Sequence, residues 1–282
     1  IERYGFCGGG AVAGLSGTVC GLYTATDSAA QPNQVVFGFA ERFVQLLTER
    51  GGLTPTIKYG KTLTRVHDPL IWREAADHIL AEAGVTVIYH AVATGVLAEG
   101  GVVEGVRVWT KQGPLDIRAK VTIDASGDAD VVAMLGLPDI IGRDGHVQNP
   151  TMIFRMLGVD VERFVGRYGL DSIMPPEVSQ AIIEANNGGE YNLPRAKIWL
   201  FTTTRPGEIM CNCTRVIGAD GRELNTLFYR DFSEAEYQGR LQMREYARFF
   251  RDHLDGFEHA FVNDTGVQVG VRQTRQVQGV ER

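Results

Sequence analysis

The stretch DPLIWREAADHILAEAGVTVIYHAVATGVLAEGGVVEGVRVWTKQGPLDIRAKVTIDASGD, residues 68–128, decides the fold. Asp68-Pro69 is a strong helix start: a carboxylate that accepts from first-turn N–H groups, then a proline where the missing donor costs nothing. Ile71, Ala75, Ile79 and Leu80 continue as an apolar stripe, and Gly84 predicts the helix end. Val85 to Tyr89 is a short apolar run of the kind buried in a parallel sheet. Three extended runs follow, Thr94 to Ala98, Val102 to Thr110 and Leu115 to Val121, separated only by Gly100-Gly101 and Gln112-Gly113-Pro114. Turns that tight predict an antiparallel meander. Val121 to Ala125 then predicts another apolar strand, running through Ser126-Gly127-Asp128 into a short helix that ends near Gly136.

Upstream, Gly5 to Gly21 is too rich in glycine for a continuous helix or central strand and predicts a loop leading into weak helix. Ala40 to Thr48 has helical spacing and stops at Gly51-Gly52, and Leu53 to Val66 reads as irregular or extended. Downstream the texture changes after Pro150. Thr151 to Leu157 predicts a strand, Pro175 to Asn186 a helix, and Lys197 to Thr204 with Glu208 to Val216 a hairpin across Arg205-Pro206-Gly207. Ser233 with Glu236 has the spacing of a capping box for a long helix reaching about His253 and closed by Gly256; Val267 to Val271 predicts the last strand. The expected boundary lies between Gly142 and Pro150, giving domains 1–146 and 147–282 and an α/β architecture followed by an α+β one.

Composition narrows the function. With 44% hydrophobic and 22% charged residues the chain has a globular make-up. A net charge of −6 argues against a nucleic-acid groove, which needs a surplus of Lys and Arg on one face. Cys7, Cys20, Cys211 and Cys213 have no metal-finger spacing, so no metal is assigned and reduced thiols in a cytoplasmic setting are expected. No apolar run approaches a membrane span or reads as a signal peptide. A small-molecule partner fits this balance, with homo-oligomers left open. Ile1-Glu2-Arg3 reads like the end of a strand, which leads us to expect a chain that starts inside its fold.

Two motifs carry chemistry. In dinucleotide-binding folds a carboxylate at the end of the second strand accepts ribose hydroxyls, and Glu2 occupies such a position. Gly8-Gly9-Gly10 beyond it would let backbone N–H groups approach a phosphate or polyol, or would simply form a flexible turn. In the second motif, Ala125-Ser126-Gly127-Asp128 ends a strand in small residues at the sheet edge where open α/β sheets bind ligands. The alternative is an ordinary strand-to-helix turn with Asp128 as cap.

The segments ERYGFCGGGAVAGL, VTIDASGDADVVAMLG, MIFRMLGVDVERF, CNCTRVIGADG and GVRQTRQVQG resemble, in order and over nearly the whole chain, FAD-dependent oxidoreductases of the glutathione-reductase-like superfamily. The resemblance implies a partial Rossmann-like FAD-binding domain with an antiparallel meander, plus an α+β substrate domain. It implies that Glu2, with Arg3 beside it, binds the adenosine ribose and that Gly8 and Gly9 line the flavin phosphates and ribityl. It further implies that the backbone at Ala91-Val92 touches adenine and that Ala125, Ser126, Gly127 and Asp128 return to the cofactor. The family's opening strand and glycine-rich phosphate loop would precede Glu2, and its flavin site would close beyond the GVR-x-x-R segment.

For catalysis, Arg155 stands inside an apolar strand and needs an anionic partner, either a carboxylate or the substrate. Arg272 and Arg275, in GVRQTR, read as substrate-side groups or as ion pairs, and Arg215 likewise. His146, in a glycine-flanked loop, is the histidine best placed for acid–base work, against the plainer reading of a solvated loop residue. Cys211 and Cys213 share a strand face and read as core; Cys7 is a candidate redox thiol. Two rivals stand beside a flavoenzyme: an NAD(P)-dependent dehydrogenase, disfavoured by the meander, and a nucleotide-binding protein without catalysis.

Overall fold

The structure, a computed structural model, describes residues 1–27 and 31–279. It is a mixed α/β chain that divides into two compact units built from interleaved segments. One contains Ile1–Gly9, Ala76–Gln148 and Arg272–Arg282, the other Gly10–Ala75 and Asn149–Val271. One break falls between 148 and 149; residues 10–75 pack with the later segment, and the residues from Arg272 onward with the earlier one.

In the first unit the meander forms as expected. Val92–Glu99, Val102–Thr110 and Gly113–Arg118 pair antiparallel in sequence order, and the last strand ends before the predicted Val121. Alternation along the middle strand points Val106 and Val108 inward, where with Ala91 they form a buried cluster joined by Ile88, Ile117 and Val131. Two predicted strands do not form. Val85 to Tyr89 has no ladder, and Val85 is half exposed. Val121 to Ala125 is irregular, with Val121 76% and Ile123 82% exposed. An apolar run becomes a buried strand only when neighbours cover it, and every ladder among the described residues is antiparallel. A trace of parallel pairing survives beside Glu2. Its N–H donates to Ile88 O at 2.9 Å and its carbonyl accepts from Ala91 N–H at 3.0 Å, a parallel bracket widened by one residue at His90, whose φ is +55°. Arg275–Val277 pairs antiparallel with Asp139–Ile141, a short ladder that the sequence reading missed.

In the second unit a four-stranded antiparallel sheet runs Phe261–Thr265, Phe154–Leu157, Glu208–Asn212, Trp199–Thr202. One face buries Phe154, Met156, Ile209, Cys211 and Leu200 against the helix Tyr229–His253. That helix starts a turn before the expected cap. Ser233 Oγ donates to Tyr229 O at 2.7 Å inside the helix, and Glu236 Oε1 accepts from Val269 N–H at 2.7 Å. The predicted strand Val267 to Val271 is replaced by the earlier Phe261–Thr265. The helix Phe39–Glu49 and the strands Ile57–Tyr59 and Thr62–Val66 complete this unit, and the helix Pro69–Glu82 begins as predicted. There, Asp68 Oδ1 accepts from Leu70 N–H at 2.8 Å and Ile71 N–H at 3.3 Å.

The other face of the sheet holds a buried polar network. Arg155 donates to Glu208 Oε1 at 2.7 Å and to the His67 carbonyl at 3.0 Å, with neither charged side chain exposed. Thr203 Oγ1 and Asn263 Nδ2 donate to the same carboxylate, and Arg205 grips Asp68 through two bonds at 2.7 and 3.1 Å. Removing one partner of the Arg155–Glu208 pair costs about 3–5 kcal/mol because the other charge stays buried. The His67 ring lies within the network, its centroid 4.4 Å from that of Trp72 and tilted 48° to it, and neither ring nitrogen has a hydrogen-bond partner among the described residues. Burial first, and Arg155 second, push its imidazole down from 6.5 to about 4. The unfolded chain takes up this proton as pH falls through 6.5, while the folded chain does so only near 4. Between those values folding loses about 3 kcal/mol, a penalty absent above 6.5. Denaturant unfolding of His67→Gln at pH 7 and 4.5 should therefore show an acid loss smaller than that of the unmodified protein by about 2 kcal/mol. Equal losses would place the His67 proton elsewhere.

Candidate cofactor site

The first candidate segment, Ile1 to Gly9, is fixed by its hydrogen bonds to Ile88, His90 and Ala91. Glu2 is half-buried, and its Oε1 accepts from Tyr4 N–H at 2.9 Å. Arg3 is exposed; its guanidinium donates to Tyr4 Oη at 2.9 Å and lies 4.9 Å from that ring's centroid. Tyr4 in turn stacks on Phe6 at 5.2 Å and 3°. A Cβ at Gly5 would meet His90 Nε2 at 2.9 Å, the tip of an exposed side chain that can move aside. At Gly9, φ is +48° and a Cβ would meet nothing within 4 Å, so the backbone borders open space; Gly8 has φ +135°. Val92 opens the meander opposite Trp109 and is half exposed. Cys7 lies beside Tyr89, whose hydroxyl donates to Asp77; that bond, ahead of burial, raises the phenol pKa above its ordinary range.

The second segment is a turn from Asp124 to Asp130. Asp124 was not singled out in the sequence, yet it organises the turn. Its Oδ1 accepts from Ser126 N–H at 3.0 Å and Ser126 Oγ at 2.7 Å, and its Oδ2 accepts from Val132 N–H at 3.1 Å. Burial works to raise this carboxyl, but the Ser126 and Val132 bonds outweigh it and hold the group below the usual carboxylate range. The D-x-S spacing was the available signal, because Asp side chains bond the backbone two residues on. Ser126 Oγ accepts from Asp130 N–H at 2.9 Å, which starts the helix Asp130–Met134. Asp128 is not the cap, since the N-cap position is Ala129. Gly127 has φ +87°, with nothing within 4 Å of where its Cβ would lie. Ala125, Ser126 and Gly127 are exposed and Asp128 is half-buried.

These two segments share one hydrophobic cluster, in which Ile88 and Ala91 from beside Glu2 pack with Val131 from the helix after the turn. The C-terminal segment joins them in the same unit: Thr274 Oγ1 donates to Asp128 Oδ1 at 2.5 Å, and Arg275 bonds the Asp128 carbonyl and the Asp130 carboxylate. Arg275 thus makes the ion pair that the sequence reading allowed. Gln148 N–H donates to Gln273 Oε1 at 3.2 Å, which brings the His146 loop and the Arg272 segment together. His146 is exposed, in a loop closed by backbone bonds to Arg143 at 2.9 and 3.0 Å. Arg272 is exposed and has no ion pair or hydrogen bond among the described residues.

Arg155 belongs to the other unit and is fully buried on Glu208, so its anionic partner is a carboxylate of the chain and not a substrate. Arg215 is exposed, with its backbone N–H on Gln242 Oε1 at 3.1 Å. Cys211 and Cys213 are core residues as read, their thiols pushed up by burial. Among the described residues no group of His, Cys, Asp or Glu is arranged for a metal, and no helix is long and apolar enough to cross a membrane.

A half-buried carboxylate, open glycine backbone and a hydrogen-bonded turn in one unit are a donor and acceptor set suited to the hydroxyls and phosphates of a dinucleotide. Comparison with curated proteins finds no match. Among solved structures the chain is similar to the flavin-dependent brominase Bmp2 (16% identity, TM-score 0.49, covering 86% of this chain and 57% of that one). It is also similar to p-nitrophenol 4-monooxygenase from Pseudomonas putida DLL-E4 (10%, 0.45, 82% and 54%). A geranylgeranyl bacteriochlorophyll reductase-like protein from Thermoplasma acidophilum matches too (18%, 0.43, 74% and 43%). The chain spans about half the length of these proteins. The family described as FAD dependent oxidoreductase matches residues 1–282, and the chain belongs to that family, whose cofactor is FAD.

Proposed function

We propose that this chain contributes the FAD site of an oxidoreductase that passes a hydride between a small organic substrate and the flavin. The observation that carries this reading is the joint packing of Ile88, Ala91 and Val131, which sets the Glu2 segment and the Asp124 to Asp128 turn on one core. Bound FAD would supply the hydride-accepting ring. The chain's own residues bind and orient it. Glu2 accepts the ribose hydroxyls, with Arg3 beside it; Gly8 and Gly9 offer backbone to the phosphates and ribityl; the backbone at Val92 meets adenine. Ala125, Ser126, Gly127 and Asp128 bring the chain back against the cofactor.

On this reading the unit containing Ile1–Gly9 and Ala76–Gln148 is the FAD unit, and the four-stranded sheet with its long helix is the substrate unit. Arg272, exposed and unpaired among the described residues, is the cation available to an anionic group, and His146 is the exposed imidazole on the neighbouring loop. Arg155 takes no part in chemistry here; it holds the sheet to the His67 backbone.

Charge-assisted hydrogen bonds contribute about 1.5–3 kcal/mol, so Glu2→Ala should weaken FAD binding at least about tenfold in fluorescence titration. An unchanged dissociation constant removes Glu2 from the site. Gly127→Val should give folded protein poor in flavin, because a β-branched residue resists φ +87° and its side chain would fill the space kept for the cofactor. Gly127→Asn separates the two effects, since Asn tolerates left-handed backbone. It should keep the melting temperature and still lose flavin, whereas full flavin occupancy in both variants would show that the turn does not face FAD.

A further inference from the structure

The turn that the proposed function places against FAD is held only in part by its own residues. Gly127 at φ +87° is followed closely by Ala129 at φ +54°, a left-handed conformation that a residue with a Cβ adopts at a cost of roughly 1 kcal/mol or more. The helix after it has only five residues, and its N-cap position, Ala129, offers no side-chain cap. Asp124 and Ser126 brace the turn from the N-terminal side. Further bonds to Asp128 and Asp130 come from residues about 145 positions later.

We propose that Arg275 and Thr274 are positioning residues of the FAD site, a clip that fixes the Asp128 carboxylate and the left-handed step at Ala129. Arg275 Nη1 reaches the Asp128 carbonyl at 3.0 Å and Asp130 Oδ1 at 2.9 Å, so one guanidinium nitrogen spans the strained residue from both sides. Its Nε stands 3.8 Å from Asp139 Oδ2, on the strand with which Arg275–Val277 pairs. That ladder fixes the arginine's backbone while the carboxylates fix its head. The adjacent Thr274 is buried, and its hydroxyl donates to Asp128 Oδ1 at 2.5 Å. Asp128 Oδ2 has no partner among the described residues, which leaves one carboxylate oxygen free to accept from a hydroxyl of the cofactor. A planar guanidinium that bridges two acceptors is not replaced by a lysine, which acts as a point charge.

The proposal rests on the reading of the turn as part of the FAD site, and the test separates the two. FAD dissociation constants, the flavin absorbance spectrum of the bound cofactor, and the melting temperature without FAD are measured for Arg275→Gln, Arg275→Lys, Thr274→Val and Gly127→Val. Arg275→Gln should weaken FAD binding by about tenfold or more, Thr274→Val by about fivefold, and Arg275→Lys should recover only part of the loss. The bound flavin spectrum should shift in the arginine variants. If Arg275→Gln lowers the melting temperature but leaves FAD affinity and spectrum unchanged at a temperature where the protein is folded, the clip is only structural and the proposal is overturned. Should Arg275→Gln fail to fold, Thr274→Val decides: unchanged FAD affinity overturns the proposal. If Gly127→Val also binds FAD normally, the reading of the turn itself fails, whereas loss of binding in Gly127→Val alone leaves that reading standing and removes the clip.

Discussion

Burial of Ala91, Val106 and Val108 beneath the antiparallel meander is the constraint on which the candidate cofactor site depends. Val108 is completely buried, and truncating such a side chain removes contacts that the surrounding structure cannot fully replace. Around this small core stand Ile88, which accepts through its carbonyl from Glu2, and Val131, in the helix that the Asp124 turn starts. The two polar segments have little apolar content of their own. They hold their places because their neighbours are in that cluster: the Glu2 segment is hydrogen-bonded to Ile88 and Ala91, and the turn leads into the helix that carries Val131. The outward face of the meander adds little by comparison, since its ion pair between Arg107 and Asp116 is solvated on both sides.

The second unit is organised differently. Its sheet divides an apolar face, closed by the long helix, from a face where Arg155, Glu208, Asp68 and Arg205 neutralise one another. Two cations and two carboxylates leave no net charge there to attract an anionic substrate. The unpartnered nitrogens of His67 sit in this network as an uncharged imidazole, which burial and Arg155 together enforce. This network is costly to break and chemically quiet.

What the sequence made legible follows from how local each signal is. The meander was readable because Gly100-Gly101 and Gly113 force tight turns, and the helix start at Asp68 because its cap bonds lie within three residues. Val85 to Tyr89 and Val121 to Ala125 misled because an apolar run states only that burial is available; neighbours distant in sequence decide whether it happens, and Val121 and Ile123 stay exposed. The box spacing of Ser233 and Glu236 was real, but Glu236 is engaged by Val269 N–H, a partner 33 residues away. Arg155 signalled a need for an anion without revealing that Glu208, 53 residues on, meets it. Arg275 showed the same limit in the cofactor unit, where its acceptors lie about 145 residues earlier.

The central claim is that the Glu2 segment and the Asp124 to Asp130 turn contact one ligand, FAD. Amide hydrogen exchange with and without FAD tests it most directly, because it reports on each backbone segment separately. The account predicts slower exchange on FAD addition in residues 2–10, at Val92 and in residues 125–130, with the buried Arg155 strand unchanged. Protection confined to the four-stranded sheet, with the turn and the N-terminal segment unaffected, would contradict it.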